Sequence, residues 1–391
     1  MLSTTLAPLR LGSVVVPTPV VLAPMAGITN AAYRQLCREQ AELGAVDLSA
    51  GPAGLFVCEM ITSRGIIERD HKTMSMLQFD PGEQVRSVQL YGVDPAIMAR
   101  GASILCEEFG VNHIDLNFGC PVPKVTRKGG GAVLPWKRNL LAAILEAVVA
   151  AATPYGVPVT CKTRMGIDHD HQTYLDAGRI AEQSGVAAIA LHGRTAQQSY
   201  SGTADWDAIA ALKQSVSIPV LGNGDIWEAS DALRMVEHTG VDGVVVGRGC
   251  LGRPWLFRDL TDAFAGRDTR TLPTLGEVGA MVRRHAELLA GLHGSERALL
   301  DLRKHMAWYF KGFPVGGEAR RALAMVTSFD DLDDQLARLD GDQPFPTAEL
   351  GSPRGRQGSP RGKVVLPEGW LDDENGCGLD LSDAEVGVSG G

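Results

Sequence analysis

Eight short apolar runs, each followed by a stretch of helical periodicity, constrain this chain more than anything else in it. The runs lie at 20–25, 55–61, 87–91, 113–117, 157–163, 188–193, 219–223 and 243–247. Most are nearly continuous rather than alternating, the pattern of parallel strands buried on both faces. Helical patterns fall between them, for example at 95–109, 174–184, 206–214 and 228–237. Eight β–α units in about 250 residues predict an α/β fold, a (β/α)8 TIM barrel. An open doubly wound sheet is the alternative, and the absence of Gly-x-Gly-x-x-Gly after the first run counts against it.

The β-type runs stop before Pro273, and helical periodicity continues to about Leu339. The expected organisation is a barrel over 1–265, a small helical domain over 266–340 and a low-complexity acidic tail over 341–391. Gly-Ser-Pro-Arg-Gly occurs twice in the tail, at 351–355 and 358–362. Such sequence buries too little apolar surface to order itself, so disorder is expected, with Trp370 as a local docking point. The formal charge of −9 is also local: residues 330–391 carry 14 acidic and 5 basic residues, and the remainder is neutral. The mean charge therefore does not exclude a phosphate-rich partner, because local basic patches decide such binding. The Gly- and Ala-rich stretch 41–53 reads as an insertion with no chemistry of its own.

Seven cysteines, at 37, 58, 106, 120, 161, 250 and 377, include no Cys-x-x-Cys pair. Neither a zinc site nor a redox dithiol is signalled, and the scatter suits a reducing compartment. The start of the chain lacks the basic-then-apolar pattern of a signal peptide. The most apolar helical stretch, 140–152, contains Glu146 and is too short to span a bilayer. A cytoplasmic protein is expected, with no metal, no membrane and no obligate protein partner.

Chemistry concentrates at the ends of the apolar runs, where a parallel barrel carries its active site. Asp115-Leu116-Asn117-Phe118-Gly119-Cys120-Pro121 sets a thiol and an amide just past the fourth run. Cysteine is often a buried packing residue. Inside Gly-Cys-Pro at a strand end it can instead serve as nucleophile, acid or base. Gly222-Asn223-Gly224-Asp225-Ile226 and Gly247-Arg248-Gly249 end the seventh and eighth runs. Paired glycine turns there, with the forked cation of Arg248, form an anion site for a phosphorylated cofactor or substrate. Lys162 stands in an otherwise apolar fifth run, where its uses are Schiff-base chemistry or neutralising an anion such as a reduced flavin ring. Gln89 ends the third run, and Pro24, Met25 and Ala26 form an apolar shelf after the first. His192, Arg194 and Tyr200 follow the sixth, with a satisfied wall histidine as the plain alternative for His192.

Taken in order, these segments resemble the tRNA-dihydrouridine synthases of the bacterial type. The resemblance is carried by Ala23-Pro24-Met25-Ala26-Gly27-Ile28-Thr29, Glu59-Met60-Ile61, Val88-Gln89-Leu90-Tyr91-Gly92 and the Asp115–Pro121 segment. It continues through Lys162-Thr163-Arg164-Met165-Gly166, Leu191-His192-Gly193-Arg194-Thr195 and the two glycine turns, over about residues 8–325. It implies an FMN-binding barrel followed by a helical tRNA-binding domain, with NADPH or NADH as reductant. Pro24, Met25, Ala26, Gln89, Lys162, Asn223, Gly224, Asp225, Gly247 and Arg248 match its FMN-contacting positions, and Cys120 its proton donor. Asn117, His192 and Arg194 match positions near the flavin and the target uracil. The implied reaction turns a uridine out of its stack and reduces its C5–C6 bond to 5,6-dihydrouridine.

An RNA surface is expected at Lys124, Arg127 and Lys128 after Cys120, and at Arg283, Arg284, Arg303, Lys304, His305 and Lys311 among Trp308, Tyr309 and Phe310. Cations beside aromatics suit phosphate contacts and stacking, although the same residues could be helix core and solvated face. The rival enzyme is a dihydropyrimidine- or dihydroorotate-type flavin dehydrogenase acting on a free pyrimidine. A sugar-phosphate barrel and an RNA binder without turnover stand further off.

Overall fold

The computed structural model describes residues 6–360 and 362–376. Eight parallel strands close into a barrel. They are β1 (Val20–Leu22), β2 (Leu55–Thr62), β3 (Ser87–Tyr91), β4 (His113–Phe118), β5 (Val159–Arg164), β6 (Ala188–His192), β7 (Val220–Asn223) and β8 (Gly243–Val246). Closure is made by β8 on β1, with Val244 opposite Val20 and Val246 opposite Leu22. The (β/α)8 expectation holds. The first strand ends at Leu22, three residues earlier than the apolar run, and Ala23–Ala26 leave the sheet to shape the site.

Seven helices of nine or more residues wrap the strands: α1 (Ala31–Gly44), α2 (Pro95–Phe109), α3 (Arg138–Ala152), α4 (Tyr174–Gln183), α5 (Trp206–Ser215), α6 (Ala229–Thr239) and α7 (Leu256–Phe264). Two short helices, Ser63–Ile67 and His71–Met76, link β2 to β3. Side chains start several of them where the backbone N–H groups lack partners. Asn30 accepts from Tyr33 N, Asp94 from Ile97 N ahead of Pro95, and Asp205 from Ala208 N. The stretch 41–53 divides: its first residues finish α1 and the rest is a loop into β2.

A hairpin of Leu9–Leu11 and Val14–Val16 plugs the end of the barrel opposite the site. Its alternating side chains bury Leu9, Leu11, Val14 and Val16 against Val21, Val57, Ala188 and Val245. This plug closes the barrel floor, so ligands reach the interior from the other end.

Beyond α7 come α8 (Leu275–His293), α9 (Ser295–Tyr309), α10 (Gly317–Leu323) and α11 (Phe329–Ala337). A capping box of Thr274 and Glu277 opens α8. Val278, Val282 and Leu289 of α8 meet Leu299, Leu302 and Met306 of α9 in a second core, which also takes in Ala32 and Trp255 of the barrel. The helices thus sit on the barrel flank beside α1.

Among the described residues from 342 on there is no helix or strand beyond a single short turn at Thr347–Glu349, as the composition predicts. The described part is nevertheless held. Phe345 packs on Trp255, Arg354 is 3% exposed and Trp370 is 1% exposed. The expected disorder therefore does not extend to 342–360 and 362–376, because a few large side chains find sockets on the barrel and helices. Residues 377–391 of the expected tail lie outside the described residues.

Candidate active site

The strand ends opposite the hairpin open into a cavity of about 340 Å³, within the size range of small-molecule sites. It is lined by Pro24, Met25, Ala26, Gln89, Asn117, Cys120, Lys162, His192, Tyr200, Asn223, Gly224, Asp225, Gly247 and Arg248. Twelve residues named from the sequence as catalytic or cofactor-binding thus meet in one place, with Asn117 and Tyr200 of the substrate group. They come from seven different loops and strand ends, which only barrel closure brings together.

A chain of hydrogen bonds runs along one wall. Asp115 of β4, buried and 6% exposed, accepts from Thr160 Oγ1 at 2.6 Å and from Gln89 Nε2 at 2.7 Å. Burial pushes its carboxyl pKa up, against the pull of those donors and of Lys162. Gln89 Oε1 accepts from Asn117 Nδ2 at 2.8 Å. Asn117 Oδ1 then accepts from Gly119 N at 3.0 Å and Cys120 N at 2.9 Å. The amide orientation of Gln89 is fixed, because a carboxylate oxygen holds its NH2 end and an amide N–H its oxygen. Cys120 is half-buried on the cavity wall.

Lys162 stands on the adjacent strand β5, in register with Asn117 of β4. Burial, then the nearby Arg164 charge, pushes its pKa down to about 7, with Asp115 and Cys120 pulling the other way. It makes no hydrogen bond or ion pair among the described residues. His192 is held well below the usual imidazole range by burial and by Arg164, Lys162, Arg194 and Arg248, so it is neutral. Its Nε2 faces Arg194 Nη1 at 3.4 Å, and a guanidinium can only donate, which leaves the ring proton on Nδ1.

At the β7 and β8 ends, Arg248 lies over the rings of Tyr200, 4.5 Å from its centroid, and Trp227, at 5.0 Å. Gly224 has φ of +127°, and a Cβ there would come 2.5 Å from that of Ala204, so no other residue fits the turn. Asn223 Nδ2 donates to Val245 O at 2.7 Å and ties the two turns together.

The donor set suits a phosphorylated, partly anionic ring ligand: an unpartnered ammonium, a stacked guanidinium at glycine turns, fixed amides and an apolar shelf. A flavin mononucleotide matches that description.

Arg194 is a correction. It is 2% exposed and lies outside the cavity lining, with its guanidinium donating to both Asp225 oxygens at 2.8 Å and to the carbonyls of Ser201 and Gly202. These bonds tie the loop after β6 to Asp225 of the next turn. Lys124 is exposed on the short helix Pro123–Thr126 beside the mouth but does not line it.

The cations expected on the helical domain are also engaged. Arg283 pairs with Asp333, Arg284 with Glu39, and Arg303 donates to Val326 O. Lys304 donates to Gly27 O at 2.5 Å and Lys311 to Ser352 Oγ and Pro353 O, while His305, Tyr309 and Phe310 are core. Trp308 alone of that group lines the cavity.

Arg164 was legible only as a motif letter. It donates from Nε to Gly119 O at 2.9 Å and from Nη1 to Thr195 O and Ser199 O, tying the Cys120 turn to the β6 loop. Trp227 and Arg356 also line the cavity, and nothing in their local sequence signals it.

The family model for dihydrouridine synthases matches residues 21–343. The chain is 56% identical over 372 residues to a Mycobacterium tuberculosis protein named "Probable tRNA-dihydrouridine synthase", covering 94% of each. It is 54% identical over 387 residues to a Mycobacterium leprae protein of the same name, covering 95% of this chain and all of the other. A Pseudomonas aeruginosa protein named tRNA-dihydrouridine synthase B is 39% identical over 328 residues, covering 84% of this chain and 93% of that one. Among solved structures, a histamine dehydrogenase from Rhizobium aligns with a TM-score of 0.52 at 11% identity, over 87% of this chain and 66% of that chain, a likeness of fold.

Proposed function

This chain belongs to the dihydrouridine synthase family, an oxidoreductase family that uses a flavin to reduce uridine in tRNA, and from that premise we propose how its residues carry the reaction. We assign FMN as the flavin. Pro24, Met25 and Ala26 would shelve its ring, Gln89, Lys162 and His192 would meet its polar edge, and Asn223, Gly224, Asp225, Gly247 and Arg248 would hold its phosphate. When bound, FMN supplies the hydrogen and electron pair added at uracil C6 and is restored by NADPH or NADH.

The chain's own part is to orient and to move one proton. The Asp115–Gln89–Asn117 series fixes the ring-facing amides. Lys162 offers positive charge to the anionic edge of a reduced ring. Cys120 gives a proton to C5. Lys162 and Arg164 both act electrostatically on Cys120, which favours the thiolate left behind. Tyr200 and exposed Lys124 stand at the mouth, where a turned-out nucleotide and its phosphate would pass.

The observation that carries this reading is the Asn117 side chain, which links the ring-orienting amide of Gln89 to the backbone of the proton donor. A free-pyrimidine dehydrogenase is not favoured, since the relatives are named for tRNA. The test is a single turnover. The protein is reduced without oxygen, mixed with unmodified tRNA transcript, and followed by flavin absorbance and analysis of the RNA. Reoxidation with dihydrouridine formed is expected. In Cys120→Ala the tRNA step should slow by about 10²–10⁴-fold with reduction by NADPH intact. Equal loss in both steps would refute the proton-donor role.

A further inference from the structure

The C-terminal segment has no part in the reading above, and it lies beyond the residues the family model matches. It nonetheless touches the site at two separate places. Leaving the helices, Arg354 donates to Leu251 O at 3.2 Å and Trp308 O at 2.9 Å. Arg356 then lines the cavity, and its carbonyl accepts from Arg248 Nη1 at 2.7 Å. Gly362 O accepts from Gln197 Nε2 at 3.0 Å, on the loop after β6. The chain thus crosses the mouth from the phosphate end toward the Cys120 side.

There it meets the loop that follows Cys120. Trp370 donates from Nε1 to Val133 O at 3.1 Å and packs with Val133 and Ile167. Its ring covers Gly129 so closely that a Cβ there would lie 2.5 Å from it. Between Gly129 and Val133, Ala132 donates its N–H to Cys120 O at 3.0 Å. Lys137 sits 5.2 Å from the centroid of the Trp370 ring and donates to Asp373 O, and Arg138 N donates to Glu374 O at 2.9 Å. One side of the Cys120 turn is therefore fixed by Asn117 and Arg164, and the other by a loop that Trp370 clamps.

We propose that residues 350–360 and 362–376 form a strap across the barrel mouth in which Trp370 is a positioning residue for the Cys120 loop. The strap is a third part of the active site, beside the barrel and the helices. It makes the placement of the thiol depend on a side chain some 250 positions away in sequence. The proposal rests on Cys120 being the proton donor, and its test separates the two.

Full-length Trp370→Ala, Trp370→Phe and Cys120→Ala are compared in both half-reactions, with iodoacetamide labelling of Cys120 followed by peptide mass. Trp370→Ala should slow flavin reoxidation by tRNA by about tenfold or more, the scale of a modest misplacement. Reduction by NADPH should change by less than about twofold, because the Cys120 thiol takes no part in it. Labelling at Cys120 should change in the same variant, and Trp370→Phe, which restores the ring over Gly129, should recover most of the rate.

Wild-type reoxidation in Trp370→Ala, with Cys120→Ala slow, overturns the strap alone. Equal loss in both half-reactions, with unchanged labelling, also overturns it. Wild-type reoxidation in Cys120→Ala overturns the proton-donor reading and the strap's role with it. If Trp370→Ala does not fold, Trp370→Leu keeps an apolar group in the socket and is judged by the same two rates.

Discussion

The side-chain oxygen of Asn117 accepts the backbone N–H of Cys120 at 2.9 Å. The same side chain donates to Gln89 at 2.8 Å. The turn that presents the thiol and the amide that faces the ring therefore share one support.

Asn117→Ala should disturb both at once. Loss of two accepted bonds, from Gly119 N and Cys120 N, and two donated ones, to Gln89 Oε1 and Met60 Sδ, should cost about 1–3 kcal/mol of stability and slow the tRNA half-reaction by about 10²-fold. Asn117→Asp restores the acceptor for Cys120 N but sets a carboxylate against Gln89 Oε1. Gln89 cannot turn to compensate, because Asp115 holds its NH2 end. The Asp variant should stay slow while regaining stability, as read by single-turnover reoxidation beside urea denaturation.

Lys162 should make the flavin-free protein's stability depend on alkaline pH. Its folded pKa is pushed down to about 7, from an ordinary 10.5. Between those values the unfolded chain binds more protons than the folded one, so stability rises with pH across that window and the penalty is complete below it. Lys162→Met should remove this rise in melting temperature. An anionic ligand beside the amine holds it protonated, so wild-type FMN affinity should fall as pH climbs above about 7, by at most about tenfold per unit. The variant's affinity should be weaker and flat.

Much of this was legible in the sequence, for identifiable reasons. A buried parallel strand must be continuously apolar, so a lysine at 162 or a cysteine after Gly119 stands out against its run. The strand ends of a barrel converge, so residues far apart in sequence could be assigned to one mouth. Arg194 shows where this stops. Its motif places it at the site, but whether a guanidinium points at RNA or folds its own loop depends on Asp225, which arrives from the next strand. The sequence also could not show how the helical-domain cations are engaged, because their carboxylate and carbonyl partners come from other elements. Trp370 was legible as a local docking point, but Arg354 was hidden by its neighbours, since composition averages over a segment while one large side chain can anchor it.

Arg194 should therefore act on folding before it acts on RNA. Removing one partner of a buried ion pair is strongly destabilising, and Arg194→Ala should cost about 3 kcal/mol in urea denaturation, since Asp225 keeps some access to water. Flavin should be lost along with the loop. A residue that merely bound tRNA phosphate would instead raise KM and leave the denaturation midpoint unchanged. Arg194→Lys should recover little, because one ammonium cannot reach both Asp225 oxygens and two carbonyls together.

His285 and His305 lie between the helical domain and the barrel, with ring centroids 4.7 Å apart. His305 also stacks on Tyr33 of α1, 5.6 Å away, so the pair is part of the seam. Burial, reinforced by Lys304, pushes His285 down to about 3, and burial with His285 and Lys304 holds His305 well below the usual range. Both are neutral in the folded protein and protonated in the unfolded chain below about 6.5. The unfolded state then binds more protons, so stability falls as pH drops below 6.5, by up to about 1.4 kcal/mol per unit for each histidine. Buried carboxylates with raised pKa, Asp259 at about 6 among them, titrate in the same interval with the opposite sign, so the histidine contribution is read as the difference between His305→Phe and wild type. His305→Phe keeps the ring contacts with Tyr33 and Trp308 and carries no proton. It should match wild type at pH 7 and lose stability more slowly toward pH 5, by about one proton in the slope of unfolding free energy against pH. An unchanged slope would mean that the histidine stays neutral in the unfolded chain too, or titrates freely in the folded one.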